Sequence, residues 1–271
     1  MAQTVLITGS STGIGKATAR HFRDQGWNVV ATMRTPERET ELKDAGNVML
    51  ARLDVTDADS IQAAIDAGLK RFGRIDAVVN NAGYGLTGSF ESMTLERIRR
   101  QFETNVFGLM EVTRRLLPHF RANKAGTVIN VASMGGRLTF PFYSVYHATK
   151  WAVDGFSESL QFELRPLGIR VKIVEPGAIK TDFYDRSVDL AHDRALSEYN
   201  ELVDKAMRRM NAAGEKGASP ELVARAIYRA ATDGSWRLRY PVGSDARSML
   251  ALRRVLPDAA WQAMIRQALL S

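Results

Sequence analysis

The sequence predicts an α/β protein: one domain around a doubly wound parallel sheet of seven strands, with a helical segment near the C-terminus. Three observations predict it. Short β-branched apolar runs alternate with helix-length segments through the first two thirds of the chain, the pattern of a parallel sheet covered on both faces. A glycine-rich turn, TGSSTGIG at residues 8–15, lies where the first such run meets the first helical segment. Beyond Ala178 the alternation gives way to a charged stretch and then to further helical patterns. With 271 residues the chain is long enough to bury one large core.

Thr4–Thr8 reads as the first strand and residues 15–25 as the first helix, stopped by Gly26. Asn28–Met33 and Val48–Arg52 read as the second and third strands, with a charged helix expected between them. A helix over residues 57–72 leads to the fourth strand, Ile75–Asn80. A long helix over 94–117 precedes the fifth strand, Thr127–Val131. Another, over 144–165, stops at Pro166 and leads to the sixth strand, Arg170–Glu175. Residues 178–218 show no clear strand, and 183–218 are expected to form an inserted substrate cover. Ser219-Pro220-Glu221 opens a helix with a cap and a first-turn proline. A last strand is marked by Tyr240-Pro241-Val242-Gly243, followed by terminal helices broken at Pro257.

Composition narrows the function classes. No run approaches the roughly 20 apolar residues of a membrane span. Met1-Ala2-Gln3 leads into Val5-Leu6-Ile7 without the basic region or cleavage site of a signal peptide, so a cytoplasmic location is expected. The chain has no cysteine, which excludes disulfides, a thiol nucleophile and a zinc–thiolate site. Its four histidines lack metal-ligand spacing, so no metal is expected. The net charge of +7 is dispersed in pairs such as Arg99-Arg100, Arg114-Arg115 and Arg208-Arg209. Solvated helix faces account for such pairs, and no nucleic-acid partner is expected.

In the turn, Gly9 and Gly13 permit backbone geometry that a Cβ forbids, and Gly15 permits close approach. Free N–H groups at the start of the following helix can hold a pyrophosphate. The spacing Gly-x3-Gly-x-Gly differs from the common dinucleotide fingerprint. Its place at a strand–helix junction of a parallel sheet, where such sheets bind ligands, gives it force beyond that of a merely structural turn.

Tyr146 and Lys150 are four residues apart on a predicted helix and share a face. Ser133 follows the fifth strand, at the end of the sheet where the crevice lies. A free phenol titrates near pH 10, and a neighbouring ammonium brings it closer to neutrality for proton transfer. His147 points off the Tyr146–Lys150 face and reads as structural.

TGSSTGIG, NNAG at 80–83, Asn105, Ser133, YHATK at 146–150 and PGAIKT at 176–181 occur in that order. Together they resemble the short-chain dehydrogenase/reductase family over residues 3–182, which implies a Rossmann-like fold and a nicotinamide dinucleotide. The resemblance implies that Gly9, Ser11, Thr12, Gly13, Ile14 and Gly15 form the phosphate turn, and that Asp54 contacts the adenine with Val55 beside it. It places Asn81, Ala82 and Gly83 along the adenosine, and Pro176, Gly177, Ile179 and Thr181 at the carboxamide. Tyr146 is then the general acid in reduction and the base in oxidation. Lys150 tunes it and holds the nicotinamide ribose, Ser133 donates to the substrate oxygen, and Asn105 supports a water-linked relay through Lys150.

An acid at the end of the second strand would accept the ribose hydroxyls of NAD; this strand ends Ala31-Thr32-Met33-Arg34 instead. Arg34 offers a forked set of donors to a 2′-phosphate. NADP(H) is therefore favoured and NAD(H) is the alternative, Thr12 standing where NADP-preferring relatives often carry a basic residue. Substrate contacts are expected from Ser133, Gly135, Phe142, Tyr143, Tyr146 and Phe183, within the segments 85–90, 134–143 and beyond Thr181. Their apolar, aromatic character suits a hydrophobic ketone, aldehyde or secondary alcohol. Glu175-Pro176-Gly177 and the extended C-terminus resemble the steroid- and retinol-type branch of the family. The resemblance also implies a homodimer or homotetramer built on the two long helices. Two other readings are a dinucleotide sensor without turnover and a dehalogenase-type relative, which the retained Tyr146, Lys150 and glycine turn argue against.

Overall fold

Strands buried on both faces need apolar side chains in both directions, and the β-branched runs supply them. In the computed structural model, which describes residues 2–43, 46–181 and 187–271, the strands are β1 (Thr4–Ile7), β2 (Asn28–Met33), β3 (Val48–Arg52), β4 (Ala77–Asn80), β5 (Gly85–Gly88), β6 (Gly126–Val131), β7 (Ile169–Pro176), β8 (Val188–Ala191) and β9 (Arg239–Val242). Seven of them form one Rossmann-like sheet in the order β3-β2-β1-β4-β6-β7-β9, and β5 pairs with β8 in a separate sheet. Every pairing is parallel. The helices are α1 (Gly13–Asp24), α2 (Ala58–Phe72), α3 (Leu95–Phe102), α4 (Gly108–Asn123), α5 (Ser144–Leu164), α6 (Ser197–Glu215), α7 (Pro220–Thr232), α8 (Ser244–Val255) and α9 (Asp258–Leu270).

Side chains alternate across the sheet. Leu6, Val30, Val78 and Val128 face Ile61, Ile65, Leu116, Phe120 and Leu160 of α2, α4 and α5. Val5, Ile7, Val29 and Ile129 pack with Phe22 of α1 and with Val223 and Ile227 of α7. Each such burial stabilises by about 1.5–3 kcal/mol. The strand order reverses between β1 and β4, which opens a crevice at the carboxyl ends of these strands. A third cluster joins Met134 and Leu138, just after β6, to Ala246 and Leu250 of α8 and Trp261 and Ile265 of α9. The C-terminal helices thus buttress the loop that carries Ser133.

The structure departs from the sequence expectations in five places, one of them the short strand β5, in a segment where no strand is expected. Between β2 and β3 the described residues hold only a 3-10 turn, Pro36–Arg38, and no charged helix. Among the described residues of this link Leu42 is the one fully buried apolar anchor, too little for an amphipathic stripe. Glu39 is also buried, accepting from the Glu41 and Leu42 amides and pairing with Lys16 at 3.3 Å. The helix expected over 94–117 is α3 and α4 with a π-helical segment, Glu103–Phe107, between them. It also continues past Pro118 to Asn123, because fully buried Phe120 anchors the last turn. Finally, the stretch read as strandless carries β8 and α6, with Val203 and Ala206 buried.

Candidate active site

The glycine turn leaves β1 and enters α1 with Gly9 at φ +70° and Gly13 at φ +52°, the left-handed region that favours glycine. A Cβ on Gly15 would lie 2.1 Å from the Gly9 carbonyl oxygen. Thr12 precedes α1 in extended conformation without a side-chain cap, and the first turn holds no acid. The helix therefore presents uncapped N–H groups and a positive dipole end, a cradle that fits a pyrophosphate. Neighbouring strands pin the turn: Ser10 N–H donates to Thr32 O at 2.9 Å. Asn81 Nδ2 donates to Thr8 O and Gly9 O at 3.0 and 3.1 Å, and Thr8 Oγ1 accepts from the Asn81 and Ala82 amides.

The turn opens onto a cleft of about 860 Å³, within the size range of small-molecule and cofactor sites. Its wall contains Gly9, Ser11, Thr12, Gly13, Ile14, Gly15, Arg34, Asp54, Val55, Asn81, Ala82 and Gly83 at one end. Ser133, Tyr143, Tyr146, Lys150, Pro176, Gly177, Ile179 and Thr181 also line it. Arg34 stands exposed on the rim just past β2. Asp54 is held in a turn, its Oδ1 accepting from Thr56 N and Oγ1 at 3.0 and 2.8 Å. Asn105, Gly135 and Phe142 stand off the wall, and Phe183 lies outside the described residues.

Tyr146 and Lys150 project from the first turns of α5, with Lys150 Nζ 5.8 Å from the Tyr146 ring centre. Lys150 is buried and donates to Val131 O, the end of β6, at 3.0 Å. Burial pushes its pKa down to about 8, because the ammonium loses hydration. Ser133 follows two residues later, its Oγ accepting from Gly135 N–H at 3.0 Å. With that lone pair engaged, the hydroxyl proton is available to an acceptor in the cleft. Asn105 sits in the π-helical segment. Its Oδ1 accepts from Tyr84 N at 3.1 Å, and its Nδ2 donates to Tyr84 O at 2.8 Å and Thr149 Oγ1 at 3.2 Å. It thereby ties the chain after β4 to the helix that carries Tyr146 and Lys150.

Behind Pro176-Gly177, Gly177 N–H donates to Val242 O and Ala178 N–H to Asp245 Oδ2 at 2.7 Å. Glu175 is buried just before them, and desolvation pushes its pKa up to about 7 despite Arg137 at 3.5 Å. Phe142 has φ +64° and its carbonyl accepts from Gly88 N at 2.8 Å, away from the cleft wall.

The cleft also includes residues that the sequence did not single out: Tyr84, Arg100, Thr104, Asp189 and Met210. Asp189 of β8 takes both Arg97 and Arg100, and Arg100 lies over the Tyr84 ring at 5.6 Å. No local signal pairs them, since the β5–β8 pairing, Leu86 opposite Asp189, brings Tyr84 and Asp189 to the same arginine.

Known proteins share this fold. The pattern of the family described as short chain dehydrogenase matches residues 3–190. An uncharacterized oxidoreductase of Bacillus subtilis, YusZ, is 35% identical over 276 residues, covering 98% of each chain. A short-chain dehydrogenase structure from Streptomyces avermitilis superposes with a TM-score of 0.85 at 34% identity, over 98% of this chain and 95% of that one. Two solved relatives hold dinucleotides. ElxO with NADP bound has a TM-score of 0.76 at 28% identity, over 92% of this chain and 100% of its own. A Burkholderia phymatum short-chain dehydrogenase/reductase in complex with NAD has a TM-score of 0.82 at 25% identity, over 96% and 95%. With a glycine cradle, a buried lysine beside a tyrosine, and more than half of its length matched, the chain belongs to the short-chain dehydrogenase family.

Proposed function

We propose that the chain reduces an apolar ketone or aldehyde with NADPH and oxidises the matching alcohol in reverse. Family membership makes it an oxidoreductase acting on alcohol and carbonyl groups with a nicotinamide cofactor. The observation that carries the finer reading is that Ser133, Tyr146 and Lys150 line the same cleft as the glycine turn. When bound, the nicotinamide supplies the hydride in reduction and accepts it in oxidation. Residues 9–15 would hold the diphosphate, Asp54, Val55 and Asn81–Gly83 the adenosine, and Pro176, Gly177, Ile179 and Thr181 the carboxamide end. Arg34, exposed on the rim, supports the choice of NADP(H), as a guanidinium there attracts a 2′-phosphate.

Charge developing on a carbonyl oxygen is met by two hydroxyls. Ser133 donates a hydrogen bond, its Oγ already oriented by Gly135 N–H. Tyr146 donates the proton, and the resulting phenolate is stabilised by the Lys150 ammonium on the same helix face. Asn105, bonded to Tyr84 and Thr149, steadies this helix and is placed to support a water-linked relay toward Lys150. Met134, Phe140, Tyr143, Val188 and Met210 give the substrate end an apolar wall, with the steroid- and retinol-type branch as the analogy. Residues 183–218, which include β8 and α6, serve as the substrate cover.

The test is turnover of a panel of apolar ketones and aldehydes, followed by NADPH absorbance, with Tyr146→Phe as the control. We expect the variant to bind NADPH normally and to lose at least about 100-fold in kcat, the range of one acid–base group. Dinucleotide binding without turnover across the panel in either direction would establish a sensor instead.

A second copy of the chain is part of this reading. Trp151 and Phe162 are 50% and 73% exposed on α5. Eleven residues apart, they point the same way within about 20°. Phe107, beside the start of α4, is also exposed. These apolar side chains suit a homodimer or homotetramer built across the long helices.

A further inference from the structure

His147 follows Tyr146 on α5, and its side chain is buried, with the residue 3% exposed. Its Nδ1 lies 2.8 Å from Gly135 O, and its Nε2 lies 3.0 Å from Phe140 N. A backbone carbonyl can only accept and a backbone N–H can only donate. The two contacts therefore require the proton on Nδ1 and a bare Nε2. Burial pushes the imidazole pKa down to about 4, so the ring is neutral near pH 7. The rings of Phe140, Tyr143 and Tyr146 surround it with centres 5.7–5.8 Å away.

Gly135 is the link to the chemistry. Its carbonyl accepts from His147 and its N–H donates to Ser133 Oγ at 3.0 Å. A Cβ on Gly135 would lie 2.6 Å from His147 Nδ1, so a side chain there would displace the ring. Phe140, held at the other imidazole nitrogen, lines the cleft.

We propose that His147 is a positioning residue, a neutral imidazole of fixed tautomer that brackets Gly135 and Phe140 and, through Gly135, aims the Ser133 hydroxyl at the substrate oxygen. The proposal rests on the reading that Ser133 acts in catalysis. It also assigns the tyrosine-bearing turn of α5 a second duty, since one helix turn then sets the proton donor and the alignment of its partner.

His147→Phe keeps a ring of similar shape and removes both hydrogen bonds. Turnover is to be measured per NADPH-binding site, which corrects for any unfolded fraction. We expect kcat to fall by about 100-fold, the effect of an ångström-scale misalignment. The NADPH Kd is expected to stay within about twofold, a loss confined to the chemical step. Gly135→Ala should cause a similar loss, and the double variant should be no worse than either single one. Unchanged kcat in His147→Phe, or a cofactor Kd that weakens in parallel with kcat, overturns the proposal. Nitrogen NMR of the parent chain at neutral pH gives a readout that needs neither turnover nor a folded variant. It should show a protonated Nδ1 and a bare Nε2 for His147, and the opposite tautomer overturns the bracket. If the parent chain reduces no carbonyl at all, the functional reading fails while the tautomer still reports on His147.

Discussion

Replacing Lys150 with methionine keeps the length of the side chain and its apolar stem while removing a buried ammonium. Burial lowers the Lys150 pKa from 10.5 to about 8. At 1.36 kcal/mol per pH unit, keeping the group charged in the native state at pH 7 costs about 3 kcal/mol. The native pKa lies below the unfolded one, so between the two values the unfolded chain binds the extra proton and stability rises with pH. The penalty is complete below about pH 8 and vanishes above about 10.5. Removing the lysine also strands Val131 O, its partner at 3.0 Å, an opposing effect of about 1–3 kcal/mol. That effect does not titrate. The stability of Lys150→Met relative to the parent chain should therefore fall by about 2 kcal/mol between about pH 7 and pH 9.5. Thermal unfolding of the two proteins without cofactor, at both pH values, reads this as a change of roughly 4–8 °C in the difference between their Tm values. The variant should also lose carbonyl turnover, a residue kept for function at the expense of stability. An identical Tm difference at both pH values would refute the argument.

Arg34→Ala should raise the KM for NADPH by about 10–100-fold, the loss of one charge-assisted contact, and leave that for NADH nearly unchanged; equal changes for both rule out a 2′-phosphate contact. Trp261→Ala, in the cluster that ties α9 to Met134 and Leu138, should destabilise by about 3–5 kcal/mol in urea titrations. It should also lower kcat by loosening the Ser133 loop; full activity in a destabilised variant would separate the C-terminal helices from the site. Phe162→Glu puts a charge on the exposed apolar face of α5, and light scattering should then report a smaller particle than for the parent. An unchanged assembly mass shows that the copies meet elsewhere.

Much of the molecule is written locally. The strands of the sheet are legible because residues such as Val5, Leu6 and Ile7 are buried on both faces, and a continuous β-branched run has few other uses. The turn is legible because Gly9 and Gly13 at positive φ and the absent Cβ of Gly15 are steric demands that only glycine meets. Tyr146, Lys150 and Ser133 are separated by few residues and lie where strand and helix ends converge, so their meeting at one cleft follows from the topology. The charged link between β2 and β3 was harder to read, since composition alone does not reveal that Glu39 and Leu42 turn inward. Helix propensity likewise does not place the π-helical segment at Asn105, whose side chain is tied to Tyr84 and Thr149.

The sequence by itself determined the α/β architecture and the glycine turn, because these rest on burial pattern and sterics, while its resemblance to a family pointed to part of the cleft wall. Only the tertiary structure decided the pairing of β5 with β8, the joint hold of Arg97 and Arg100 on Asp189, and the support of the Ser133 loop by Trp261 and Ile265. It also turned His147 from a bland neighbour of Tyr146 into a bracket between Gly135 and Phe140. The physical reason is common to all of these. A hydrogen bond or a packed contact is a property of two groups brought together by the whole fold, and neither residue carries the other's position in its own stretch of chain.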